Sequence, residues 1–329
     1  MGDVGARAEN PRPKSTSLFL QIVEHLDGTI SRPIVPISPP SSDPSNPQSQ
    51  TLSKDLPLNP IHGTSLRLYC PIHPPSHKLP IIIFFHGGGF VVFNASTVFY
   101  HEECEQMAAE LPAIVVSLDY RLAPEHRLPA AYDDAVEALS WVWDQAKGGG
   151  DPWITNHGDF SRCYLMGSSS GGNMAYHAGI RAMDLDLHPM LAGIILNQPY
   201  LGGEKRTSSE IASEEDQILP LRSNETMWRL ALPKGADRDH EFCNVIKAVA
   251  GRRIQLPRCL ILGFDGDPLI DRQREFASVL KEGGVNVVAR VGGEGFHAAE
   301  LFVPAKAAVL IGEIRQFISN GFDADADAA

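Results

Sequence analysis

Short apolar runs that alternate with longer amphipathic stretches dominate this chain from about residue 79 onward. Such short, nearly unbroken runs are typical of strands in a parallel sheet that is covered on both faces. Amphipathic stretches with helical spacing lie around 101–110, 130–143, 173–181, 272–281 and 304–318. This alternation predicts an α/β fold with a mostly parallel central sheet flanked by helices. The strands are expected at Ile81–Phe85, Ile114–Leu118, Tyr164–Met166, Gly193–Leu196, Cys259–Leu262 and Val285–Ala289.

Two regions break this rhythm, residues 1–45 and a polar segment near 202–253. We expect both to form a helical cap over the strand ends, with 46–322 as the main domain. Within the first region, apolar residues from Leu18 to Leu26 recur at helical spacing and predict a short amphipathic helix that Gly28 ends. Residues 36–50 are rich in Pro and Ser and predict a loop. A further strand is expected at Ser65–Cys70, and the small acidic residues 323–329 predict a disordered tail.

The charge balance excludes some partners. The 28 basic and 40 acidic residues give a net charge of −12, so a basic groove for nucleic acid is not expected. No apolar run approaches the ~20 residues of a membrane span, and the N-terminus lacks an apolar secretory core. Five scattered cysteines without a CxxC pair predict buried thiols in a reducing compartment. We therefore expect a cytoplasmic monomer without a membrane span.

The stretch Gly167-Ser168-Ser169-Ser170-Gly171 matches the pattern G-x-S-x-G. It follows the predicted strand Tyr164–Met166 and precedes a stretch compatible with a helix. A strand-to-helix turn this tight strains the backbone at the serine, and side chains two residues on either side would collide. The positive end of the following helix points at a developing oxyanion. Ser169 is therefore the candidate nucleophile.

A second glycine-rich motif, His86-Gly87-Gly88-Gly89-Phe90, follows the strand Ile81–Phe85 directly. Glycine lets backbone N–H groups approach a ligand without interference from a Cβ atom. This motif matches the HGGG type of oxyanion loop. We expect the N–H groups of Gly88, Gly89 and Ser170 to be the oxyanion donors. His86 precedes Ser169 in the chain and is expected to be a structural hydrogen-bonding residue beside Gly87.

A serine nucleophile of this type needs an acid and then a histidine later in the chain. Of the histidines after Ser169, which are His177, His188, His240 and His297, only His297 lies in a loop directly after the last predicted strand. Asp265, Asp267 and Asp271 compete for the role of the acid, since all three follow the strand Cys259–Leu262. Asp267 precedes Pro268, which holds it in an extended conformation. We prefer Asp267 for that reason and expect Asp265 and Asp271 to be turn and helix-cap residues.

Five motifs together resemble the hormone-sensitive-lipase-like branch of the α/β-hydrolase superfamily, and within it the plant carboxylesterases. They are His86–Phe90, Asp119–His126, Pro129–Ala135, Gly167–Gly172 and Asp267–Leu269. The resemblance covers roughly residues 15–320. It implies an N-terminal contribution to the cap, a Ser169–Asp267–His297 triad and an oxyanion hole at Gly88, Gly89 and Ser170. Two departures stand out: Ser168 replaces the aspartate that the family usually has before the nucleophile, and the segment Cys243–Lys247 is short.

The resemblance implies a carboxylesterase that hydrolyses a small-molecule ester through an acyl-enzyme intermediate, with no metal and no cofactor. Three alternatives share the scaffold. A hormone receptor similar to the gibberellin receptors would have lost the triad histidine, whereas His297 is present. A dehydratase would in some cases carry Thr as nucleophile, whereas this chain has Ser169. An acyltransferase is compatible with the same residues. Phe90, Tyr120 and Tyr200 follow strand-like runs and are candidates either for a substrate pocket or for ordinary core aromatics.

Overall fold

The computed structural model describes residues 17–45, 49–185 and 191–326. In this part of the chain, an eight-stranded sheet has the strand order β10-β9-β8-β7-β5-β6-β4-β3. The strands from β10 to β6 are parallel, whereas β4 is antiparallel to β6 and β3 is antiparallel to β4. The strands are β3 (Thr51–Asn59), β4 (Thr64–Pro71), β5 (Leu79–Phe85), β6 (Ile114–Asp119), β7 (Gly158–Ser168), β8 (Leu191–Asn197), β9 (Cys259–Gly263) and β10 (Val287–Val291).

All six predicted central strands are present, and the prediction of an α/β fold with a mostly parallel sheet is confirmed. Both faces of the sheet are covered, which explains the unbroken apolar runs. In β5, Ile81, Ile83 and Phe85 belong to the core on one face, and Ile82 and Phe84 to the core on the other. Every residue of this strand is buried. Because each strand residue contacts one of two helical layers, no polar alternation can develop.

The two helical layers hold the sheet between them. Helices α2 (Ala130–Gln145), α4 (Ser170–Asp184) and α8 (Ile270–Glu282) pack on one face, where they contribute Leu139, Ala178 and Phe276 to the core. Helices α1 (Val98–Glu110) and α9 (Pro304–Ala326) cover the other face with residues such as Met107 and Ile314. A short helix α3 (Pro152–His157) precedes β7. Because strands β5 to β10 are parallel, their carboxyl ends lie along the same edge of the sheet, where the following loops can bring side chains together in a site.

The predicted N-terminal helix is wrong. A short 3-10 helix, Leu18–Gln21, is followed by a two-stranded hairpin of β1 (Val23–Glu24) and β2 (Ile30–Ser31). Ser17 caps the 3-10 helix, since its Oγ accepts a hydrogen bond from the Phe19 N–H at 3.3 Å. Gly28, which we interpreted as a helix stop, has a φ of +85° and forms the turn of the hairpin. The pair Asp27-Gly28 is a strong signal for a hairpin turn, and here the turn overrides the helical spacing of the apolar residues.

Strand β3 was not predicted. It lies at the edge of the sheet, paired only with β4, and contains Pro57, whose lack of an N–H is tolerated at an edge. The polar and proline-containing pattern of an edge strand gives little periodic signal. The strand predicted at Ser65–Cys70 is present as β4.

The segment 202–253 is inserted between β8 and β9 and contains α5 (Ser208–Ala212), α6 (Leu221–Ala231) and α7 (Val245–Val249). It contacts the N-terminal region, since Ser17 Oγ donates to the Ile218 carbonyl at 2.7 Å and Arg229 pairs with Glu24 at 2.5 Å. We call α5–α7 and their connecting loops the cap segment. Helix α9 extends to Ala326, into the region predicted as a disordered tail, and residues 327–329 lie outside the described residues. Residues 1–16 also lie outside them.

Candidate active site

Ser169 lies at the junction between β7 and α4, with φ of 56° and ψ of −117°. A positive φ is uncommon for a non-glycine residue, and here the flanking glycines make the turn possible. A Cβ atom on Gly171 would lie 1.8 Å from the Phe85 carbonyl oxygen, and one on Gly167 would lie 2.1 Å from the Gly171 backbone. Both obstacles are main-chain atoms in the core. The G-x-S-x-G spacing is therefore required by the close approach of β7, α4 and β5.

The imidazole of His297 joins Ser169 to Asp267. His297 Nε2 lies 3.0 Å from Ser169 Oγ, and its Nδ1 lies 3.0 Å from Asp267 Oδ2. Since the Asp267 carboxylate can only accept, Nδ1 carries the proton, and Nε2 is left to accept from the Ser169 hydroxyl. His297 and Asp267 are 3% and 1% exposed, so solvent does not compete for these bonds. The structure thus brings together the three residues that the sequence singled out.

The Asp267 carboxylate has three donors. Besides His297, it accepts from the Leu269 N–H at 2.8 Å and from Gln273 Nε2 at 2.8 Å. The two competing aspartates form other bonds: Asp265 pairs with the side chain of Arg274, and Asp271 accepts from the Ser209 N–H at 2.8 Å. Neither is bonded to His297.

Two of the other histidines after Ser169, His177 and His240, are not part of this arrangement. His177 lies on α4 and stacks on the ring of Tyr132, with centroids 4.3 Å apart. His240 accepts from the Phe242 N–H at 3.2 Å in the cap segment. His188 lies outside the described residues.

The environment of His297 raises the pKa of its imidazole above the ordinary value. Burial is the largest single influence and favours the neutral ring, but the charge and hydrogen bond of Asp267 act in the opposite direction. Glu300 and Asp216 add smaller contributions of the same sign as Asp267. The net result is a more basic imidazole, which suits a group that accepts a proton from a hydroxyl.

The glycine loop after β5 lies beside Ser169. Gly88 has a φ of +113°, and a Cβ atom there would lie 2.1 Å from the Val92 carbonyl oxygen, so only glycine fits. Gly89 is packed under Met227 of α6, which connects the loop to the cap segment. Among the described residues, no group accepts a hydrogen bond from the N–H of Gly88, Gly89 or Ser170. Of the three residues, Gly88 lines the same cavity as Ser169.

His86 is fully buried and has a structural position. Its Nδ1 lies 2.7 Å from the Gly87 carbonyl oxygen, and its ring stacks on Tyr120 with centroids 4.2 Å apart. The Tyr120 hydroxyl in turn donates to the His86 carbonyl at 2.9 Å. Burial lowers the pKa of His86 to about 4, so the ring is neutral near pH 7. His86 therefore supports the glycine loop from behind.

A cavity of about 70 Å³ opens next to Ser169 and His297. Its walls are mainly aromatic and aliphatic, and among the described residues no Asp, Glu, Lys or Arg side chain lines it. The lining side chains come from the N-terminal 3-10 helix, the glycine loop, α1, the cap segment and the loop after His297. They include Leu18, Phe19, Phe93, Phe99, Tyr100, Gln217, Ile218, Leu301 and Phe302.

The sequence did not identify this lining. Phe90, Tyr120 and Tyr200, which were candidates, are buried core residues that do not line this cavity. Phe93 and Phe99 do line it, but nothing in their local pattern separates them from core aromatics. Gln273 was also missed, since only the fold shows that α8 returns its side chain to Asp267.

One group of potential metal ligands occurs in the described part of the chain, away from Ser169. It consists of His62, Asp134 and Glu137. Both oxygens of the Asp134 carboxylate already accept hydrogen bonds from the Arg121 guanidinium, at 2.6–3.0 Å. Because this carboxylate is already paired with the Arg121 guanidinium, we assign no metal to the group. All five cysteines are buried and free. No helix among the described residues has the length and apolar character of a membrane span.

Known proteins resemble this chain over most of its length. A family model for the alpha/beta hydrolase fold matches residues 82–301. The chain is 44% identical to probable carboxylesterase 8 of Arabidopsis thaliana, over 95% of this chain and 96% of that protein. It is 47% identical to 3-O-acetylpapaveroxine carboxylesterase CXE2 of Papaver somniferum, over 84% of this chain and 92% of that protein. A solved hyperthermophilic esterase from Pyrobaculum calidifontis superposes with a TM-score of 0.70 at 28% identity, covering 84% of this chain and 87% of that one.

The parallel sheet, the strained serine between strand and helix, and the family match define an α/β hydrolase. Within that superfamily, the chain belongs to the plant carboxylesterases of the hormone-sensitive-lipase-like branch. The resemblance noted in the sequence is thereby confirmed.

Proposed function

We propose that this protein hydrolyses carboxylic esters through a Ser169–His297–Asp267 triad and an acyl-enzyme intermediate. The observation that carries the proposal is the continuous chain from Asp267 Oδ2 through His297 to Ser169 Oγ, with both hydrogen bonds at 3.0 Å. This series of hydrogen bonds ends at a cavity that Gly88 also lines, and among the described residues the N–H groups of Gly88, Gly89 and Ser170 have no acceptor. Nucleophile, base, orienting acid and anion donors are all supplied by residues of this chain.

In the first half-reaction, His297 Nε2 takes the hydroxyl proton as Ser169 Oγ attacks the ester carbonyl carbon. The N–H groups of Gly88, Gly89 and Ser170 donate to the resulting oxyanion, and each such donor contributes about 3 kcal/mol in a transition state. Asp267 stays ionised and stabilises the imidazolium. When the C–O bond to the alcohol breaks, His297 returns the proton to the leaving oxygen.

In the second half-reaction, a water molecule donates its proton to His297 Nε2 and attacks the acyl-serine. The tetrahedral adduct is held by the same donors and releases the carboxylic acid, while the proton returns to Ser169. Every proton thus passes through one nitrogen atom. Apart from the ester and one water molecule, every group in this sequence of steps belongs to the chain.

The cavity limits the acyl group. At about 70 Å³ it has roughly half the size of a 150 Å³ cavity that binds benzene in another protein. Its lining offers no counter-charge for an acidic acyl group. We therefore propose a short, uncharged acyl chain as the preferred substrate part. The name of the Papaver somniferum relative specifies an O-acetyl ester, which agrees with this size.

The test compares p-nitrophenyl acetate, butyrate, octanoate and hemisuccinate as substrates of the purified protein. We expect kcat/KM to be highest for the two short neutral esters and at least about tenfold lower for the charged one, because a carboxylate would enter an apolar cavity unpaired. Ser169→Ala should abolish the reaction. An organophosphate should inactivate the wild type and form an adduct on Ser169.

Other outcomes separate the alternatives. An inert wild type, or an unimpaired Ser169→Ala variant, contradicts the proposal. Binding without turnover indicates a receptor. Formation of a new ester in the presence of a second alcohol indicates acyl transfer. A cytoplasmic monomer stays our prediction, to be checked by fractionation and light scattering.

A further inference from the structure

Gln198 follows β8 directly, and its side chain is buried at 1% exposure. Its Oε1 accepts a hydrogen bond from the Ala298 N–H at 2.8 Å, and its Nε2 donates to Glu300 Oε2 at 2.6 Å. Because a backbone N–H can only donate, the orientation of this amide is fixed and its NH₂ group must face the carboxylate. One side chain thus holds both the residue after His297 and the residue three positions after it.

The other oxygen of Glu300 is held by the same strand end. Asn197, the last residue of β8, donates from Nδ2 to Glu300 Oε1 at 2.7 Å. The carbonyl of Asn197 accepts from the Ser169 N–H at 2.9 Å. The end of β8 therefore fixes Ser169 through the backbone and the loop of His297 through two side chains. We call Asn197, Gln198 and Glu300 the β8 clasp.

The backbone is strained at both residues that the Gln198–Ala298 hydrogen bond joins. Gln198 has a φ of 47° and Ala298 a φ of 59°, and both are non-glycine residues in the left-handed region. Such residues persist only where surrounding contacts over-determine them. In contrast, Gly292, Gly293 and Gly295 before His297 all have positive φ. Backbone bonds from the Asp265 N–H to the Gly293 carbonyl and from the Gly266 N–H to the Gly295 carbonyl hold this approach, and the clasp holds the loop on the other side of His297.

We propose that Gln198 and Glu300 are positioning residues, which hold the His297 imidazole at hydrogen-bonding distance from Ser169 and so sustain kcat. The inference rests on the proposed role of His297 as general base. A displacement of about 1 Å at a reacting group can lower a rate about 100-fold. Loss of the clasp should therefore affect turnover most, because most of the cavity lining comes from the N-terminal 3-10 helix, the glycine loop, α1 and the cap segment and not from the loop that the clasp holds.

Glu300 also acts on His297 through its charge, since its carboxylate helps to raise the pKa of the imidazole. Burial raises the pKa of Glu300 itself, while the two amides and His297 counteract this effect. Other titratable groups face these two residues from several elements. They are Asp267 and Asp216 around His297, and Glu102, Glu103 and Tyr100 on α1, Arg290 on β10 and Glu313 on α9 around Glu300.

A charge swap tests the clasp. Gln198→Glu places two carboxylates 2.6 Å apart, and Glu300→Gln places two amide donors against each other. The double variant Gln198→Glu/Glu300→Gln restores every bond. In it, the carboxylate at position 198 accepts from the Ala298 N–H and from the amide at position 300, whose oxygen accepts from Asn197 Nδ2. We expect each single variant to lose about 100-fold in kcat with KM nearly unchanged, and the double variant to recover most of that loss.

The acidic limb of the kcat/KM profile provides an independent measurement. Removal of a negative charge near His297 lowers the imidazole pKa, so the neutral, active form persists to lower pH. The limb of Glu300→Gln should therefore move to lower pH than that of the wild type. A purely structural weakening would lower activity and leave the limb in place. Asn224→Ala removes a buried amide in α6 that is bonded to Tyr200, and this control should lower Tm without moving the limb.

The outcomes are distinct. Single variants with kcat close to the wild type overturn the inference, as does a double variant that is no better than the single ones. An unmoved limb in Glu300→Gln overturns the electrostatic part. If a single variant does not give a native thermal transition, Glu300→Asp keeps the charge and shortens the reach, and an unchanged kcat there also overturns the inference. Activity in Ser169→Ala or His297→Gln would instead refute the proposed function.

Discussion

Replacement of Asp267 by Asn should remove nearly all activity, and the structure shows why. Asp267 Oδ1 accepts from the Leu269 N–H, and Oδ2 accepts from both His297 Nδ1 and Gln273 Nε2. An asparagine has one acceptor oxygen for these two positions. If that oxygen turned toward His297, the new NH₂ group would face the backbone N–H of Leu269, which cannot move or change its role.

The oxygen of the asparagine will therefore face Leu269, and its NH₂ group will face His297. A donor at that position stabilises the imidazole tautomer with a bare Nδ1 and a protonated Nε2. This tautomer cannot accept the Ser169 proton. The corresponding change in a serine protease, which is a worked case of the tautomer argument, lowers kcat about 10⁴-fold. The same loss is expected here, which corresponds to about 5 kcal/mol in the activation free energy.

The assay is the hydrolysis of p-nitrophenyl acetate near neutral pH, with burst titration of active sites. Asp265→Asn and Asp271→Asn are matched controls from the same loop and helix start, since their carboxylates bond to Arg274 and Ser209 instead. Both controls should retain activity within about threefold of the wild type. An Asp267→Asn variant within tenfold of the wild type, or a control with an equal loss, would refute the tautomer argument.

Three further predictions follow from the same geometry. The acidic limb of the wild-type kcat/KM profile should have its midpoint above the ordinary imidazole pKa of about 6.5, because the pKa of His297 is raised and the protonated ring is inactive. A midpoint below that value contradicts the role of His297 as the general base. Gly171→Ala drives a Cβ atom into the Phe85 carbonyl oxygen and should lower the free energy of unfolding, measured by urea titration, by about 3 kcal/mol. The control Gly312→Ala in α9 meets open space and should leave the free energy of unfolding unchanged or raise it. Phe19→Ala enlarges the cavity and should move the preferred p-nitrophenyl ester toward longer acyl chains, and an unchanged acyl-length profile would show that this ring does not limit the substrate.

The central sheet could be predicted because its physical cause is local. Strands β5, β6, β8 and β9 are buried along almost their whole length, and a run of apolar residues records that burial directly in the sequence. The edge strand β3 leaves no such record, since it is half solvated and contains Pro57. In the segment 18–28, helical spacing and a hairpin turn compete. The pairing of β1 with β2 around Gly28 decides that competition, and it is only visible once both strands are placed.

In the site, too, features with a local cause could be predicted and features that depend on distant residues could not. Ser169 and the glycine loop depend on close backbone contacts at fixed sequence offsets, so a motif identifies them. Gln198, Gln273 and Glu300 act through contacts with residues 6 to 103 positions away. Glutamine and glutamate are common surface residues, and nothing in their neighbours along the chain indicates burial. The cavity lining is similarly assembled from five separate segments, which explains why its aromatic residues could not be selected in advance.

The residue before the nucleophile shows how a departure from a family pattern becomes understandable in three dimensions. Ser168 Oγ accepts from Asn197 Nδ2 at 3.1 Å and donates to Glu103 Oε1 at 3.5 Å. Glu103 and Glu300 are both buried, and burial raises the pKa of each carboxyl, with mutual repulsion as a further cause for Glu103. The aspartate that the resemblance leads one to expect would add a third buried carboxylate beside these two. A hydroxyl can both accept and donate, so Ser168 connects Glu103 to Asn197, which in turn donates to Glu300, without adding a charge. Serine at position 168 and glutamate at positions 103 and 300 thus form one compatible set, and the β8 clasp depends on that set.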